Sequence, residues 1–520
     1  MGNSQSSPRL NEPAVEKLLV QQLQALRTRD ALHQREIEHD YIQVESEKGI
    51  PRSFSTDPSL DVTTASEWEK ELLADPKNRL ALNALLSNNI RDIVSNKVTT
   101  LSDTQTFNVK IPFEGSPVTN QRSSGRCWLF ATTNVLRVPI MKKYNLKEFE
   151  LSQAYLFFWD KMEKANWFLE QMIDTAGKDL DERIVQELLG APVNDGGQWD
   201  MASNLVEKYG LVPQKLYPDS YNAMNSSAMG SIITTKLRED GLALRALVNS
   251  SGPASTKKSS SIVLAKSKMM REIHCILTLM LGPPPKPDQK FTWEYYDSSD
   301  KYHKLNLTPL EFAKSMSSPS VVRSLGGADV SQMFSLVNDP RNKYMSLLTV
   351  SRLGNVVGGR PITYVNVDMS TMKKAAIAML RAGVPVFFGS DVGKFSNSQS
   401  GIMDPDLYDY GLAFNISLNL SKSQRLRVRE SAMTHAIVLT AVQVERDEQT
   451  GEDKSVRWRV MNSWGENAGD KGYFVMTDKW MDEFVYQVVI EPGFVGKDVK
   501  GILKTEPTVL PLWDPMGALA

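Results

Sequence analysis

Gln121-Arg122-Ser123-Ser124-Gly125-Arg126-Cys127-Trp128 is the stretch on which the reading of this chain turns. It is polar and turn-prone up to Arg126. It then opens on an apolar run (Trp128, Leu129, Val135, Leu136, Ile140, Met141) whose spacing predicts a helix over 127–144, with Pro139 expected to kink or end it. A thiol at a helix N-terminus meets unpaired N–H groups and the positive end of the helix dipole, both of which favour thiolate. Gly125 lets the backbone turn tightly into the helix. Gln121, upstream across that turn, is placed to offer its side-chain NH₂ where an oxyanion would develop. The alternative is a buried free cysteine that opens an apolar helix, and the local sequence leaves the two readings open.

Composition narrows the setting. Of 520 residues, 60 are Lys or Arg and 61 Asp or Glu, a net charge of −1, which excludes a bulk polycation that wraps nucleic acid. Only two cysteines occur, Cys127 and Cys275, so a disulfide-built secreted protein is excluded in favour of a reducing compartment. No apolar run approaches the ~20 residues that span a bilayer. The start, Met1-Gly2-Asn3-Ser4, fits a myristoylation pattern but carries only Arg9 as a nearby basic residue, so stable membrane anchoring is not expected.

A thiol nucleophile needs a base, and the chain has five histidines. His33 and His39 sit in a charged helical segment, His303 lies among lysines, and His274 adjoins Cys275 without further residues at metal-ligand spacing. No metal or cofactor is expected. His435 differs, because Met433-Thr434-His435-Ala436-Ile437-Val438-Leu439 puts it at the start of an apolar strand. Val460-Met461-Asn462-Ser463-Trp464-Gly465 ends another strand with an amide able to orient an imidazole and an indole able to shield it.

Taken together, Gln121, Cys127-Trp128, His435-Ala436 and Asn462-Ser463-Trp464-Gly465, in that order, resemble the papain-like cysteine peptidases. The resemblance implies an α+β, papain-like fold: a helical half, an antiparallel β half and an active-site cleft between them. It implies Cys127, His435 and Asn462 as catalytic residues and Gln121 at the oxyanion. It also makes Gly196 and Gly197, of Asn194-Asp195-Gly196-Gly197, and Trp464 residues of the substrate cleft. The cysteines that join these segments in secreted relatives are replaced by Ser124 and Val193.

Roughly 300 residues separate Cys127 from His435, against roughly 130–150 in the ordinary family. A large, mainly helical insertion is therefore expected over 221–360. Cytosolic cysteine peptidases with such an insertion are the bleomycin hydrolases, and the chain resembles them in Pro117–Gln121, Leu151–Phe158, Phe291–Tyr295 and the ending Trp513–Ala520. That likeness implies a homohexamer, thiol aminopeptidase action on peptides with a free N-terminus, hydrolysis of bleomycin and of homocysteine thiolactone, and single-stranded DNA or RNA binding. It also implies a C-terminal tail that enters the cleft, so that the carboxylate of Ala520 anchors the substrate's α-amino group.

The expected organisation is a partly disordered extension (1–60), a helical half with the nucleophile (61–220), the insertion (221–360), a β half with His and Asn (361–497) and the tail (498–520). Within the insertion Lys257, Lys258, Lys266, Lys268 and Arg271 form an acid-free basic run, a candidate nucleic-acid channel when repeated in a ring. Cytoplasm is the expected location, and a mitochondrial fraction is compatible with it. The competing readings are a papain-like endopeptidase and a nucleic-acid-binding scaffold with secondary peptidase activity. Intact Gln121, Cys127, His435 and Asn462 disfavour an inert scaffold.

Overall fold

The structure, a computed structural model, describes residues 59–250, 260–315, 332–448, 451 and 453–520. The expected N-terminal helix, linker and myristoylation site lie outside these residues, as do Lys257 and Lys258. The chain divides into two units, Met1–Asn83 and Ala84–Ala520. In the first, α1 (Val62–Ala74) starts at Asp61, whose carboxylate accepts from the Thr63 and Thr64 amides, and α2 (Pro76–Leu85) follows.

The second unit carries β1 (Val109–Lys110) and then a helical half: α3 (Cys127–Lys143), α4 (Gln153–Asp174), α5 (Arg183–Gly190) and α6 (Trp199–Tyr209). Helix α3 is buried on every side from Cys127 to Met141. Pro139 neither ends nor shortens it. Its missing N–H deprives the Val135 carbonyl of a helical donor, but enclosure of the whole helix by packed side chains outweighs that loss. Ser152 caps α4 as its position predicts, its Oγ accepting from Tyr155 N at 3.0 Å. Helix α6 stops at Gly210, where φ is +76° and a Cβ would lie 2.2 Å from the Pro309 carbonyl, so only glycine fits.

The expected helical insertion is half right. Helices α7 (Ser227–Ser250) and α8 (Ser260–Leu281) occupy its first part and pack on α4. They are followed by a hairpin, β2 (Phe291–Tyr296) with β3 (Tyr302–Leu307), in register from Phe291↔Leu307 to Tyr296↔Tyr302. Its Trp293 and Tyr295 turn inward and stack at 4.3 Å, an alternation that reads as strand rather than helix. Strands β4 (Phe334–Val337) and β5 (Ser346–Val350) then belong to the main sheet, so the β half begins near residue 334 and not at 361.

That sheet continues with β6 (Thr363–Asn366), helix α9 (Met369–Arg381), β7 (Val386–Ser390), β8 (Ser396–Asn397), β9 (Ile402–Met403), β10 (His435–Arg446), β11 (Asp453–Met461), β12 (Tyr473–Thr477), β13 (Val485–Ile490) and β14 (Thr508–Leu510). Twelve strands run β14-β5-β6-β4-β13-β7-β10-β11-β12-β9-β8, with β1 on β10. The central ladder is antiparallel as expected, while β9–β12, β4–β6 and β5–β14 are parallel. Helix α3 packs against β10, and the backbone N–H of Ala436, the second residue of the strand, lies beside the Cys127 thiol at the start of the helix. No helix among the described residues is long and apolar enough to cross a membrane.

Candidate active site

Cys127 opens α3 and His435 opens β10, so both sit at element ends. Beside the thiol are the backbone N–H groups of Ala436, Trp128 and Cys127 itself. His435 is buried, and its Nε2 lies 3.0 Å from Asn462 Oδ1. That same oxygen accepts from Ser463 N at 2.8 Å, which fixes the orientation of the amide. An amide oxygen only accepts, so the proton of neutral His435 is on Nε2 and Nδ1 is the basic nitrogen. Trp464 lies over the imidazole with ring centroids 5.0 Å apart and its plane tilted 33°.

Gln121 is held from both sides. Its N–H donates to Ser463 O at 2.8 Å, its Oε1 accepts from Ser463 Oγ at 2.7 Å, and its Nε2 donates to Ser124 O at 2.7 Å. An amide nitrogen carries two hydrogens, so one remains for a developing oxyanion. Ser463 thus locks both Gln121 and Asn462, a role that the sequence reading assigned to neither Ser463 nor any other residue.

Burial governs the resting charges. It pushes the Cys127 thiol up to about 11 against the three N–H donors, and the Asp195 charge adds to the rise. Burial also holds the His435 imidazole down at about 4, against the favourable Asn462 bond. Each charge taken alone is expensive in so dry a place. A thiolate and an imidazolium formed together as neighbours largely offset that cost. His435→Ala should then leave a buried thiol without its partner, ionising well above neutral pH. Alkylation by iodoacetamide at pH 7 should fall more than tenfold and climb about tenfold per pH unit, since thiolate is the reactive form. An unchanged rate at pH 7 would contradict the pairing.

The opposite wall of the cleft is residues 194–197. Trp128 Nε1 donates to Asp195 O at 2.7 Å, and the Asp195 carboxylate accepts from Gly125 N at 3.1 Å and from Ser226 Oγ, and pairs with Lys161 Nζ at 2.7 Å. Burial would raise the Asp195 pKa, but the Lys161 charge and the hydrogen bonds from Lys161, Ser226 and Gly125 bring it to about 2. Lys161 itself is pulled down by burial, with Asp195 and Asp160 acting the other way, so the pair contributes less than the aspartate alone implies. Lys164, with Nζ 2.7 Å from Asp160, donates to Asn194 O at 3.1 Å and Gly196 O at 2.5 Å. This polar strut ties the turn before Cys127 to the Asn-Asp-Gly-Gly segment, the two places where Ser124 and Val193 stand. Its lysines were legible only as charges on the apolar face of α4.

Gly197 presses on the Trp128 ring, where a Cβ would lie 2.5 Å from the indole, and at Gly196 a Cβ would meet the Ala520 and Leu519 carbonyls at 2.8 Å. The last residues of the chain lie against these glycines. Ala520 is buried, its terminal oxygen accepts from Gly197 N at 3.0 Å, and Gln198 Nε2 donates to Ala518 O at 2.5 Å.

The basic run fares differently. Lys266 is engaged with Glu170, while Lys268 and Arg271 are exposed. Arg245, whose charge adjoins the run, is buried and donates to Thr175 O at 2.8 Å and to Lys178 O. Two of the five residues named for a nucleic-acid channel are thus free among the described ones. Cys275 is exposed on α8.

With this geometry in hand, the chain was compared with known proteins. The Peptidase C1-like family model matches residues 59–517. Bleomycin hydrolase of Rattus norvegicus is 46% identical over 457 residues, 87% of this chain and 97% of that protein. The human bleomycin hydrolase is 45% identical over 457 residues, covering 87% and 96%. Cysteine proteinase 1, mitochondrial, of Saccharomyces cerevisiae is 42% identical over 468 residues, covering 89% and 93%. The crystal structure of PepW from Lactobacillus rhamnosis superposes with a TM-score of 0.82 at 40% identity, covering 89% of this chain and all of that one.

Proposed function

The chain belongs to the Peptidase C1-like family and is a cysteine peptidase with the papain-like fold; from that premise we propose that it is a thiol aminopeptidase that removes residues from free peptide N-termini. The observation that carries this reading is Ala520, a chain terminus buried in the cleft on Gly197. A carboxylate there bars an extended substrate from running on past the site and offers an opposite charge to an α-ammonium. Hydrolysis of the bleomycin amide rests on the likeness to the bleomycin hydrolases, and of homocysteine thiolactone on the same electrophile chemistry.

The cycle is acyl transfer. Thiolate Cys127, its proton passed to His435 Nδ1, attacks the scissile carbonyl, and the oxyanion is met by Cys127 N–H and Gln121 Nε2. His435 returns the proton to the leaving amine. Water then attacks the thioester with His435 as base, while Asn462, locked by Ser463, keeps the ring in the productive tautomer. Trp464 keeps water from the His435–Asn462 bond.

An aminoacyl-fluorophore with a free α-amino group should be turned over and its N-acetylated form should not, and pre-treatment with iodoacetamide should abolish the reaction. Equal hydrolysis of both forms would favour the endopeptidase reading. Turnover that survives alkylation would place the chemistry elsewhere.

A further inference from the structure

Six residues before the terminus, the tail is gripped by a charge cluster that neither the chemistry nor the cleft wall requires. The Arg341 guanidinium binds Asp339 through Nε at 2.9 Å and Nη2 at 2.8 Å, and Nη2 also donates to Asp514 Oδ1 at 2.7 Å. Asp339 is fully buried and anchored in the sheet. Its N–H donates to Asn366 Oδ1 at 2.9 Å, its carbonyl accepts from Asn366 Nδ2 at 3.1 Å, and its Oδ2 accepts from Asn342 Nδ2 at 2.8 Å. On the tail side, Asp514 Oδ1 caps a short 3-10 turn over Pro515–Gly517 by accepting from Met516 N at 2.9 Å. The turn leads straight to Ala518–Ala520.

Two more arginines from separate elements hold the neighbouring residue. Arg183 of α5 stacks 4.1 Å over the Trp513 ring, and Arg429 Nη2 donates to Trp513 O at 3.2 Å. Beyond this point packing is incomplete. A pocket of about 280 Å³, lined among others by Trp167, Leu188, Leu353, Leu512 and Leu519, lies along the last residues. Side-chain packing alone would therefore let the final segment shift along the cleft. The hydrogen bonds from Gly197 N to Ala520 O and from Gln198 Nε2 to Ala518 O hold the end of the segment, and the clamp at Asp514 holds its beginning.

We propose that Arg341, acting through Asp514, is a positioning residue that sets how far the tail reaches into the cleft, and so determines the preference for free N-termini. This rests on the aminopeptidase reading. The chain of contacts is rigid from the sheet through Asp339 and Arg341 to Asp514, and the 3-10 turn passes the position on to Ala520. Removing Arg341 also leaves the carboxylates of Asp339 and Asp514 facing one another, so the tail is pushed off as well as released.

The test uses the full-length enzyme with free and N-acetylated aminoacyl-fluorophores. Arg341→Ala should raise KM for the free-amine substrate about tenfold with kcat within about twofold, and N-acetylated substrate should begin to be cleaved. Asp514→Asn, which loses the attraction without creating the repulsion, should show the same pattern at about threefold. Arg341→Lys should fall between wild type and Arg341→Ala. In a chain lacking Gly517–Ala520, Arg341→Ala should change neither substrate's kinetics, because the clamp then has nothing to position.

Wild-type KM and no cleavage of the N-acetylated substrate in a folded Arg341→Ala would overturn the proposal. If that variant does not fold, the same result in Asp514→Asn overturns it. Should the deletion alone leave the free-amine preference intact, the reading that the tail enforces that preference fails, a result distinct from failure of the clamp at Arg341.

Discussion

Cys127→Ala is expected to abolish turnover, by a factor on the order of 10⁴ to 10⁶, while leaving the fold as it is. Nothing else in the cleft can replace the sulfur. The other thiol among the described residues, Cys275, is exposed on α8, away from the cleft. The oxyanion donors and the tail would remain, so substrate should still bind, and KM or inhibitor affinity should move little. Loss of a single buried sulfur costs stability on the order of 1 kcal/mol, because helix α3 is enclosed by many other contacts. Residual turnover in an aminoacyl-fluorophore assay above a few parts in ten thousand, with an unchanged melting profile, would remove Cys127 from the chemistry.

Deletion of Gly517–Ala520 is expected to exchange one specificity for another. The terminal carboxylate sits in a buried place, where a charge facing a substrate ammonium has about 2–3 kcal/mol of effect, roughly a 30- to 150-fold change in kcat/KM for the free-amine substrate. N-blocked and longer peptides should become substrates, because the backbone space along Gly196 and Gly197 is then open to a substrate strand. The products of an N-blocked peptide, identified by mass, decide the point. If the truncated enzyme still cleaves only from free N-termini, the tail is not what enforces exopeptidase action.

Much of the site was legible because its residues obey local rules. Cys127 follows a polar turn and precedes an apolar run, His435 starts a strand, Asn462 ends one, and each lies at an element end where a cleft can form. Gly196 and Gly197 were legible as close-approach glycines. What escaped the reading has no local signature. Ser463 acts by holding Gln121 and Asn462 across 342 residues of chain in one case and none in the other. Lys161 and Lys164 act on residues some thirty positions away. Arg341 finds Asp514 at a separation of 173 residues. The insertion was misread as mainly helical because Phe291–Tyr296 and Tyr302–Leu307 are short and rich in polar residues on their outer face. Their inward aromatic row only gains meaning once Tyr144 and Phe149 are seen to cover it. The cost of ionising the thiol alone also escaped it: helix-end N–H groups can be read from sequence, but complete enclosure cannot.

The tail has one more consequence. Before it reaches the cleft, β14 lies at the margin of the twelve-stranded sheet and hydrogen-bonds along β5 from Thr508↔Leu348 to Leu510↔Val350. The segment proposed to restrict substrates is therefore also the cover on an otherwise open strand edge. A truncation that removes only Gly517–Ala520 alters selectivity and leaves that cover in place. One that extends past Pro511 strips β5 of its partner and offers Ser346–Val350, largely apolar, as a template for pairing between molecules. Such a chain should precipitate on concentration, and its loss of activity would then report aggregation rather than a change in the cleft.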